Sequence, residues 1–227
     1  MSEKSLHADL KSWYARPDDQ LEAPIDGYVI DIVRGDLLIE IQTRSFSAIK
    51  EKLWKLVGSH QVRLVYPIAS EKWLLKRSTK KGERPKRRKS PKRGSFEDLF
   101  VELVSFPTLF LEPNFSLEVL MIQEEEVRHH DPRRAWRRRG WVTDERRLLK
   151  VVDKHRFEDP IDLMRFLPDN LPVQFTTADL AAALGKPRRI AQRMAYCLRH
   201  MGAIEDLGRE GRAILYARAD IARGGGG

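Results

Sequence analysis

The sequence predicts an α/β (α+β) protein in which a mixed sheet flanked by helices is followed by a small C-terminal domain. The first observation is the segment 28–43, where β-branched residues surround a short turn and predict a β-hairpin. The second is the change from a helical to a strand pattern between residues 45 and 68. The third is a pair of short helices and a glycine-rich hairpin between residues 173 and 218.

The predicted hairpin places two carboxylates opposite each other. If Gly35 and Asp36 form a two-residue loop, paired residues have numbers that sum to 71, and Asp31 lies opposite Glu40. Directly opposed Cβ atoms are about 4.5–5.5 Å apart, so the two carboxylates repel each other. Gln42 shares the face of Glu40 because side chains alternate along a strand. A divalent cation, which prefers oxygen ligands, is the expected counter-charge.

The pattern of the N-terminal region resembles the PD-(D/E)XK nuclease superfamily, which has the restriction-endonuclease-like fold. The matching elements are a helix over residues 2–15, the hairpin, a helix over 45–57 and a strand over 61–68. Their order, helix, strand, strand, strand, helix, strand, is that of the superfamily's core. The likeness covers about residues 1–75 and extends to about residue 125, which bounds the first predicted domain. The segments 38–43 and 62–67 also resemble a subgroup of prokaryotic proteins.

The resemblance implies a metal-dependent nuclease and assigns roles to individual residues. The residues implied in catalysis are Glu3, Asp31, Glu40, Gln42 and Lys50. Asp31 and Glu40 would hold Mg²⁺ or Mn²⁺, with Asp26 as an alternative first acid. Gln42 stands where the superfamily usually has lysine, and it offers hydrogen bonds without a charge. Two functions therefore stay open: hydrolysis of DNA, and DNA binding or regulation without catalysis.

Residues 76–93 hold eleven lysines and arginines and one glutamate, a net charge of +10, whereas the whole chain carries +9. The basicity is therefore local. The stretch 76–94 contains two prolines and no apolar residue, which predicts a disordered loop. Its charge indicates binding of phosphates regardless of sequence, and a solubilising loop is the alternative. The candidate contacts are Lys86, Arg87, Arg88 and Lys89.

Residues 95–171 are predicted to contain a helix, a strand and a helical connector. The helix covers 95–107, and the strand over 116–123 extends the nuclease-like sheet. The connector, 126–171, is expected to contain helices over 144–153 and 160–167. Its arginine-rich stretch 133–141 includes two tryptophans, which either stack on bases or pack between domains.

Residues 172–220 resemble the winged helix-turn-helix family. A threonine-capped helix ends at Gly185, the turn at Lys186 and Pro187 follows, and the helix 188–201 precedes a glycine-rich hairpin. The resemblance implies a recognition helix and a wing that contact DNA, although domains of this kind also bind proteins. The implied contacts are Arg188, Arg189, Gln192, Arg193 and Arg199 on the helix and Arg209 and Arg212 on the wing. Residues 221–227 are expected to be a flexible tail.

Composition narrows the class of protein. The chain of 227 residues is 41% hydrophobic and 33% charged, and it has no apolar run of the about 20 residues that a membrane helix requires. The N-terminus lacks a signal peptide, so we expect a cytoplasmic protein without a membrane partner. A single cysteine, Cys197, excludes an internal disulfide and predicts a buried apolar side chain. DNA is the expected partner; RNA binding or cleavage, a homodimer and a protein partner stay open.

Overall fold

The structure is a computed structural model that describes residues 5–77, 84–133 and 140–219. The chain forms two compact units. The first comprises Met1–Thr43, Leu64–Phe96 and Glu118–His155, and the second comprises Arg44–Arg63, Glu97–Leu117 and Arg156–Gly227. Glu3, parts of both arginine- and lysine-rich stretches (78–83 and 134–139) and the C-terminal tail lie outside the described residues.

The described residues form a mixed α/β structure with one large and one small sheet. The elements up to residue 157 are α1 (Ser5–Tyr14), β1 (Gln20–Ile25), β2 (Tyr28–Arg34), β3 (Leu37–Ile41), α2 (Lys50–Val57), β4 (Gln61–Lys76), β5 (Lys86–Lys89), α3 (Phe100–Leu103), β6 (Phe115–His130) and β7 (Trp141–Phe157). Short 3₁₀ turns cover Phe46–Ile49, Phe96–Leu99 and Pro107–Leu111. In the described ranges the large sheet has the order β1–β2–β3–β4–β6–β7, and β5 pairs with the end of β4.

Two expectations about the N-terminal region are confirmed. The elements from α1 to β4 follow the predicted order of helix, three strands, helix and strand. The β2–β3 hairpin has the predicted register, because Ile32 pairs with Ile39 and Val33 with Leu38. Gly35, with φ of 56°, occupies the left-handed region that the tight turn requires. The strand predicted over 116–123 is present in β6.

Two expectations about the charged segments are wrong. Residues 144–153, expected as a helix of the connector, belong to the long strand β7, whose side chains meet partners on β6. Lys86–Lys89, expected in a disordered loop, form β5 and pair antiparallel with Trp73–Lys76 of β4. Carboxylates on β4 and β6 offset part of the positive charge of β5, which permits an ordered strand.

The core of the first unit lies between α1 and the sheet. Leu6 and Leu10, one helical turn apart, pack with strand residues of the same apolar cluster. The strand members of that cluster are Ile32, Ile39, Ile41, Val65, Leu120 and Ile122. Asp9 on another face of α1 accepts a hydrogen bond from the backbone N–H of Leu148 on β7 at 2.9 Å. The helix is therefore fixed to the sheet by apolar and polar contacts.

The second unit contains an aromatic core and the C-terminal elements. Phe46 stacks on Phe106 at 5.1 Å between ring centroids, and Phe166 contacts both Phe100 and Phe157. The C-terminal elements are α4 (Pro160–Met164), β8 (Gln174–Phe175), α5 (Thr177–Leu184), α6 (Arg188–His200), β9 (Ile204–Glu210) and β10 (Ala213–Arg218), and the three strands form a sheet of order β8–β10–β9.

Local sequence determines the bounds of α5. Thr176 and Asp179 form a capping box at the start of α5. Gly185 ends that helix with a φ of 62°.

Cys197 is fully buried on α6, and burial raises the pKa of its thiol to about 12, so it behaves as an apolar side chain. No helix in the described part of the chain is both long and apolar enough to span a membrane.

We predict that Ile39→Ala lowers the free energy of unfolding by about 2–5 kcal/mol, because it opens a cavity at a side chain with 0% exposure. Urea denaturation followed by circular dichroism measures the change. Val29→Ala is the control, since Val29 is 62% exposed on the neighbouring strand and should cost about 1 kcal/mol or less. Equal losses of unfolding free energy in both variants would show that Ile39 is not part of the core.

Candidate functional site

Three acidic residues lie on neighbouring strands of the first unit, Glu22 on β1, Asp31 on β2 and Glu40 on β3. The register of β1 and β2 places Glu22 opposite Asp31. The paired positions of β2 and β3 end at Ile32 and Ile39, and Asp31 and Glu40 are the next residues beyond that pair on each strand. The backbone of Glu22 has a φ of 54°, a value that few residues other than glycine adopt. The acid pair predicted from the hairpin is thus extended by a third carboxylate.

Helix α1 supplies two basic side chains to this row of acids. His7 Nε2 lies 3.1 Å from Asp31 Oδ2, and Lys11 donates a hydrogen bond of 2.5 Å to Glu22 Oε1. His7 and Lys11 share a helix face because they are one turn apart. Asp31 Oδ2 also accepts a hydrogen bond of 2.8 Å from the backbone N–H of Ile41. The side chain of Asp31 therefore joins β2 to both α1 and β3.

These contacts keep Asp31 and Glu22 ionised. Burial opposes ionisation of Asp31, but the hydrogen bonds with His7 and the Ile41 N–H outweigh it and hold the pKa below its ordinary value of 3.8. The hydrogen bond from Lys11 lowers the pKa of Glu22. Both side chains are anionic at neutral pH. Groups of the protein thus stabilise the charge of Asp31, one of the two acids for which the sequence alone suggested a metal ion.

The remaining residues implied in catalysis occupy different surroundings. Glu40 is 6% exposed on β3, and Gln42 follows β3 with its backbone N–H donating 2.9 Å to Val65 O. Lys50 is the exposed first residue of α2 and belongs to the second unit, and Asp26 lies in the β1–β2 turn. Asp31 and Glu40 thus lie on neighbouring strands of the first unit, whereas Lys50 belongs to the second unit.

The acid pair offers a small donor set for a metal. Within residues 5–77, 84–133 and 140–219, no group of three or more histidine, cysteine, aspartate or glutamate side chains is arranged to hold a metal ion. Mg²⁺ is often bound by one or two carboxylates together with water. Asp31 and Glu40 meet that minimum, although hydrogen bonds already engage Asp31 Oδ2.

A buried ion network on β4, β6 and β7 escaped the sequence analysis. Glu124 is fully buried, with Lys72 Nζ at 2.7 Å and Arg146 Nη2 at 2.6 Å. Glu126 contacts Lys72 at 3.3 Å and Arg128 at 2.8 Å. Burial opposes ionisation of Glu126, but hydrogen bonds from Arg128 and Thr143 prevail and lower its pKa to about 2. Glu124 and Glu126 thus form ion pairs between strands.

The predicted phosphate contacts of the first unit lie on β5. Lys86, Arg87, Arg88 and Lys89 are all exposed. Arg87 Nε lies 2.7 Å from Glu125 Oε1, and Lys89 Nζ lies 2.6 Å from Glu71 Oε1. The strand therefore presents a dense positive charge that acids of neighbouring strands offset in part.

In the second unit, a basic groove runs between α6 and β10. Arg188, Gln192 and Arg199 lie along one exposed face of α6, and Arg212 of the β9–β10 turn faces the same space. The groove has a volume of about 330 Å³. Arg199 contacts Asp206 of β9 at 3.3 Å. Three guanidinium groups thus line one concave surface, as an anionic ligand requires.

Tyr196 also lines this groove, 42% exposed on α6 between Gln192 and Arg199. Sequence analysis missed it, although its spacing of four residues from Gln192 places both on one helix face. Arg193, another predicted contact, is half-buried and donates a hydrogen bond of 3.3 Å to Val101 O. Arg189 and Arg209 are exposed.

Comparisons with known proteins place the chain among its relatives. Residues 4–158 match the family described as Domain of unknown function (DUF8091). The chain belongs to the DUF8091 family. It is also similar to a protein of Treponema pallidum (strain Nichols) named "Uncharacterized protein", with 30% identity over 218 residues, 95% of this chain and 85% of that protein. No solved structure matches the chain. The DUF8091 match contains the acid row and β5 and ends before α6.

We predict that Asp31→Asn lowers the free energy of unfolding at neutral pH by about 1–3 kcal/mol, because it weakens hydrogen bonds to a charged group. The lowered pKa of Asp31 stabilises the fold above about pH 3.8, and this contribution disappears as the pH falls through the lower folded value. Denaturation curves between about pH 3 and pH 7 should therefore converge for variant and wild type at the acidic end.

Asp36→Asn, at the exposed tip of the same hairpin, is the matched control and should change stability little. An Asp31→Asn protein more stable than wild type at neutral pH would show that repulsion among the acids outweighs the contacts with His7 and Ile41.

Proposed function

We propose that this protein binds duplex DNA through the exposed face of α6 and the β9–β10 hairpin. The observation that carries the proposal is the groove in which Arg188, Arg199 and Arg212 meet. Guanidinium groups bind phosphates and the edges of guanine bases, so three of them on one surface suit a nucleic acid. The order β8, α5, α6, β9, β10 resembles the winged helix-turn-helix family and supports α6 as the recognition helix.

Duplex DNA is preferred to duplex RNA on geometric grounds. The major groove of B-form DNA admits an α-helix, whereas the major groove of A-form RNA is too narrow for side chains to enter. Gln192, exposed between the arginines of α6, has the amide group that recognises adenine in the major groove. The proposal therefore gives α6 both phosphate contacts and a side chain able to read a base.

We predict that Arg188→Gln, Arg199→Gln and Arg212→Gln each weaken binding of a labelled duplex by about 1–3 kcal/mol. Fluorescence anisotropy at several salt concentrations measures the affinities, and duplex RNA serves as the competing ligand. Arg156→Gln is the matched control, because Arg156 is a half-exposed arginine of the same unit, paired with Glu158 outside the groove. Wild-type affinity in all three groove variants would contradict the proposal. Tighter binding of duplex RNA than of duplex DNA would identify RNA as the ligand instead.

A second candidate function is Mg²⁺-dependent hydrolysis of a phosphodiester by the first unit. The position of Asp31 and Glu40 next to the last pair of the β2–β3 hairpin favours it, as does the order of elements from α1 to β4, which resembles the PD-(D/E)XK core. A bound Mg²⁺ would lower the pKa of its water and offset charge on the phosphate. Asp31 and Glu40 would hold that ion, and Gln42 would orient water by hydrogen bonds. Phosphodiester hydrolysis would make the first unit catalytic, whereas DNA binding by α6 requires no chemical step.

We predict for this second candidate that wild type binds Mn²⁺ in calorimetry and cleaves DNA with Mg²⁺. Glu40→Gln should abolish both, because the remaining carboxylate cannot hold the ion alone. Gln42→Lys should retain or raise cleavage, since it restores the cation that the superfamily usually has. EDTA is the control for metal dependence. Cleavage by Glu40→Gln at the wild-type rate, or no metal binding by wild type, would remove this candidate and leave DNA binding unaffected.

A further inference from the structure

The two faces of β5 differ in their electrostatic surroundings. Side chains alternate along a strand, so Arg87 and Lys89 share one face while Lys86 and Arg88 share the other. The pairing with β4 agrees with this alternation, because Lys89 lies opposite Trp73 and Arg88 lies opposite Leu74. Four basic residues that the sequence presents as one cluster therefore belong to two separate surfaces.

The face of Arg87 and Lys89 contains its own acids. Glu71 Oε1 accepts a hydrogen bond of 2.6 Å from Lys89 Nζ and also contacts Arg93. Glu125 Oε1 accepts a hydrogen bond of 2.7 Å from Arg87 Nε. Glu71 and Glu125 are 21% and 12% exposed, so water screens these pairs less than it screens pairs in the open. Hydrogen bonds from Lys89 and Arg93 lower the pKa of Glu71, which keeps it anionic.

An aromatic ring holds the same two cations in place. Arg87 Cζ lies 5.2 Å and Lys89 Nζ lies 5.0 Å from the centroid of the Trp73 ring, within the range of cation–π attraction. Each of these side chains therefore has an acid and an aromatic face as partners. A phosphate that recruits Arg87 or Lys89 must first replace those contacts, which offsets much of the gain.

Arg88 has the opposite surroundings. It is exposed and lies on the face of Leu74. The acids of that face, Glu124 and Glu126, are buried and already paired with Lys72 of β4. Arg88 makes no ion pair with any residue in the described ranges. Its guanidinium group can bind a phosphate without breaking an existing ion pair.

We propose that β5 is a second DNA-contacting surface, which binds the phosphate backbone through Arg88 while Glu71 and Glu125 retain Lys89 and Arg87 within the sheet. This inference rests on the proposed function, because it takes duplex DNA as the ligand, and it adds a site in the other unit. Backbone contact is sequence-independent. The acids thus decide which cations of the strand reach the ligand.

The test compares two adjacent arginines that carry the same charge on the same strand. For duplexes of unrelated sequence, the slope of log K against log salt becomes shallower by about 0.9 for each phosphate that the protein no longer neutralises. Arg88→Gln should reduce the slope by about that amount and weaken binding several-fold at low salt. Arg87→Gln should change the slope by less than half as much. Glu125→Gln should make the slope steeper, because it releases Arg87 to the ligand.

Each outcome separates the inference from the proposed function. Equal effects of Arg87→Gln and Arg88→Gln would overturn the inference, since the strand would then act only through its net charge. No effect of Arg88→Gln, with groove variants still impaired, would overturn it and leave the proposed function standing. Absence of DNA binding by wild type would overturn both. Anionic phospholipid vesicles are the comparison ligand, and loss of vesicle binding alone in Arg88→Gln would assign the surface to lipid headgroups and overturn the inference.

Discussion

The fully buried carboxylate of Glu124 is the group on which the polar half of the large sheet depends. An unpaired charge at such a site would cost several kcal/mol, and only close partners of opposite charge offset that cost. Lys72 of β4 and Arg146 of β7 supply them from opposite sides of β6. Arg146 also donates a hydrogen bond to Thr43 O, just beyond β3. The order β4–β6–β7 is therefore stabilised by ion pairs as well as by backbone hydrogen bonds.

Local features of the sequence predicted the parts of the fold that local chemistry determines. The turn at Gly35 and Asp36 fixed the register of the β2–β3 hairpin, and the caps at Thr176 and Gly185 bounded α5. Residues 144–153 of β7 were wrongly expected to form a helix. The strand conformation of β7 depends on partners such as Glu126 and Glu124, which are 17 and 22 residues from Thr143 and Arg146. No local pattern contains that information.

The candidate site shows the same division. The hairpin pattern alone placed Asp31 opposite Glu40, but it did not reveal how the charge of Asp31 is compensated. His7, 24 residues away on α1, and the backbone N–H of Ile41 both bind Asp31 Oδ2. Their effect on the pKa of Asp31 removes the need for a metal ion as the only source of compensation. A like-charge pair in a sequence is therefore evidence for a counter-charge, and the fold decides which one.

The basic strand β5 extends this reasoning from acids to cations. A net charge counted along the chain treats Arg87 and Arg88 as equivalent, because each adds one positive charge. In the sheet, Glu125 binds Arg87, whereas Arg88 lies over an uncharged residue. The difference arises because alternation along the strand directs neighbours to opposite faces. Glu71 and Glu125 pair with the cations of one face, whereas the acids of the other face, Glu124 and Glu126, pair with Lys72 of β4. Acids placed beside a basic segment thus pair with the cations of one face and leave a cation of the other face without an ion pair, which is the basis of the proposed phosphate contact at Arg88.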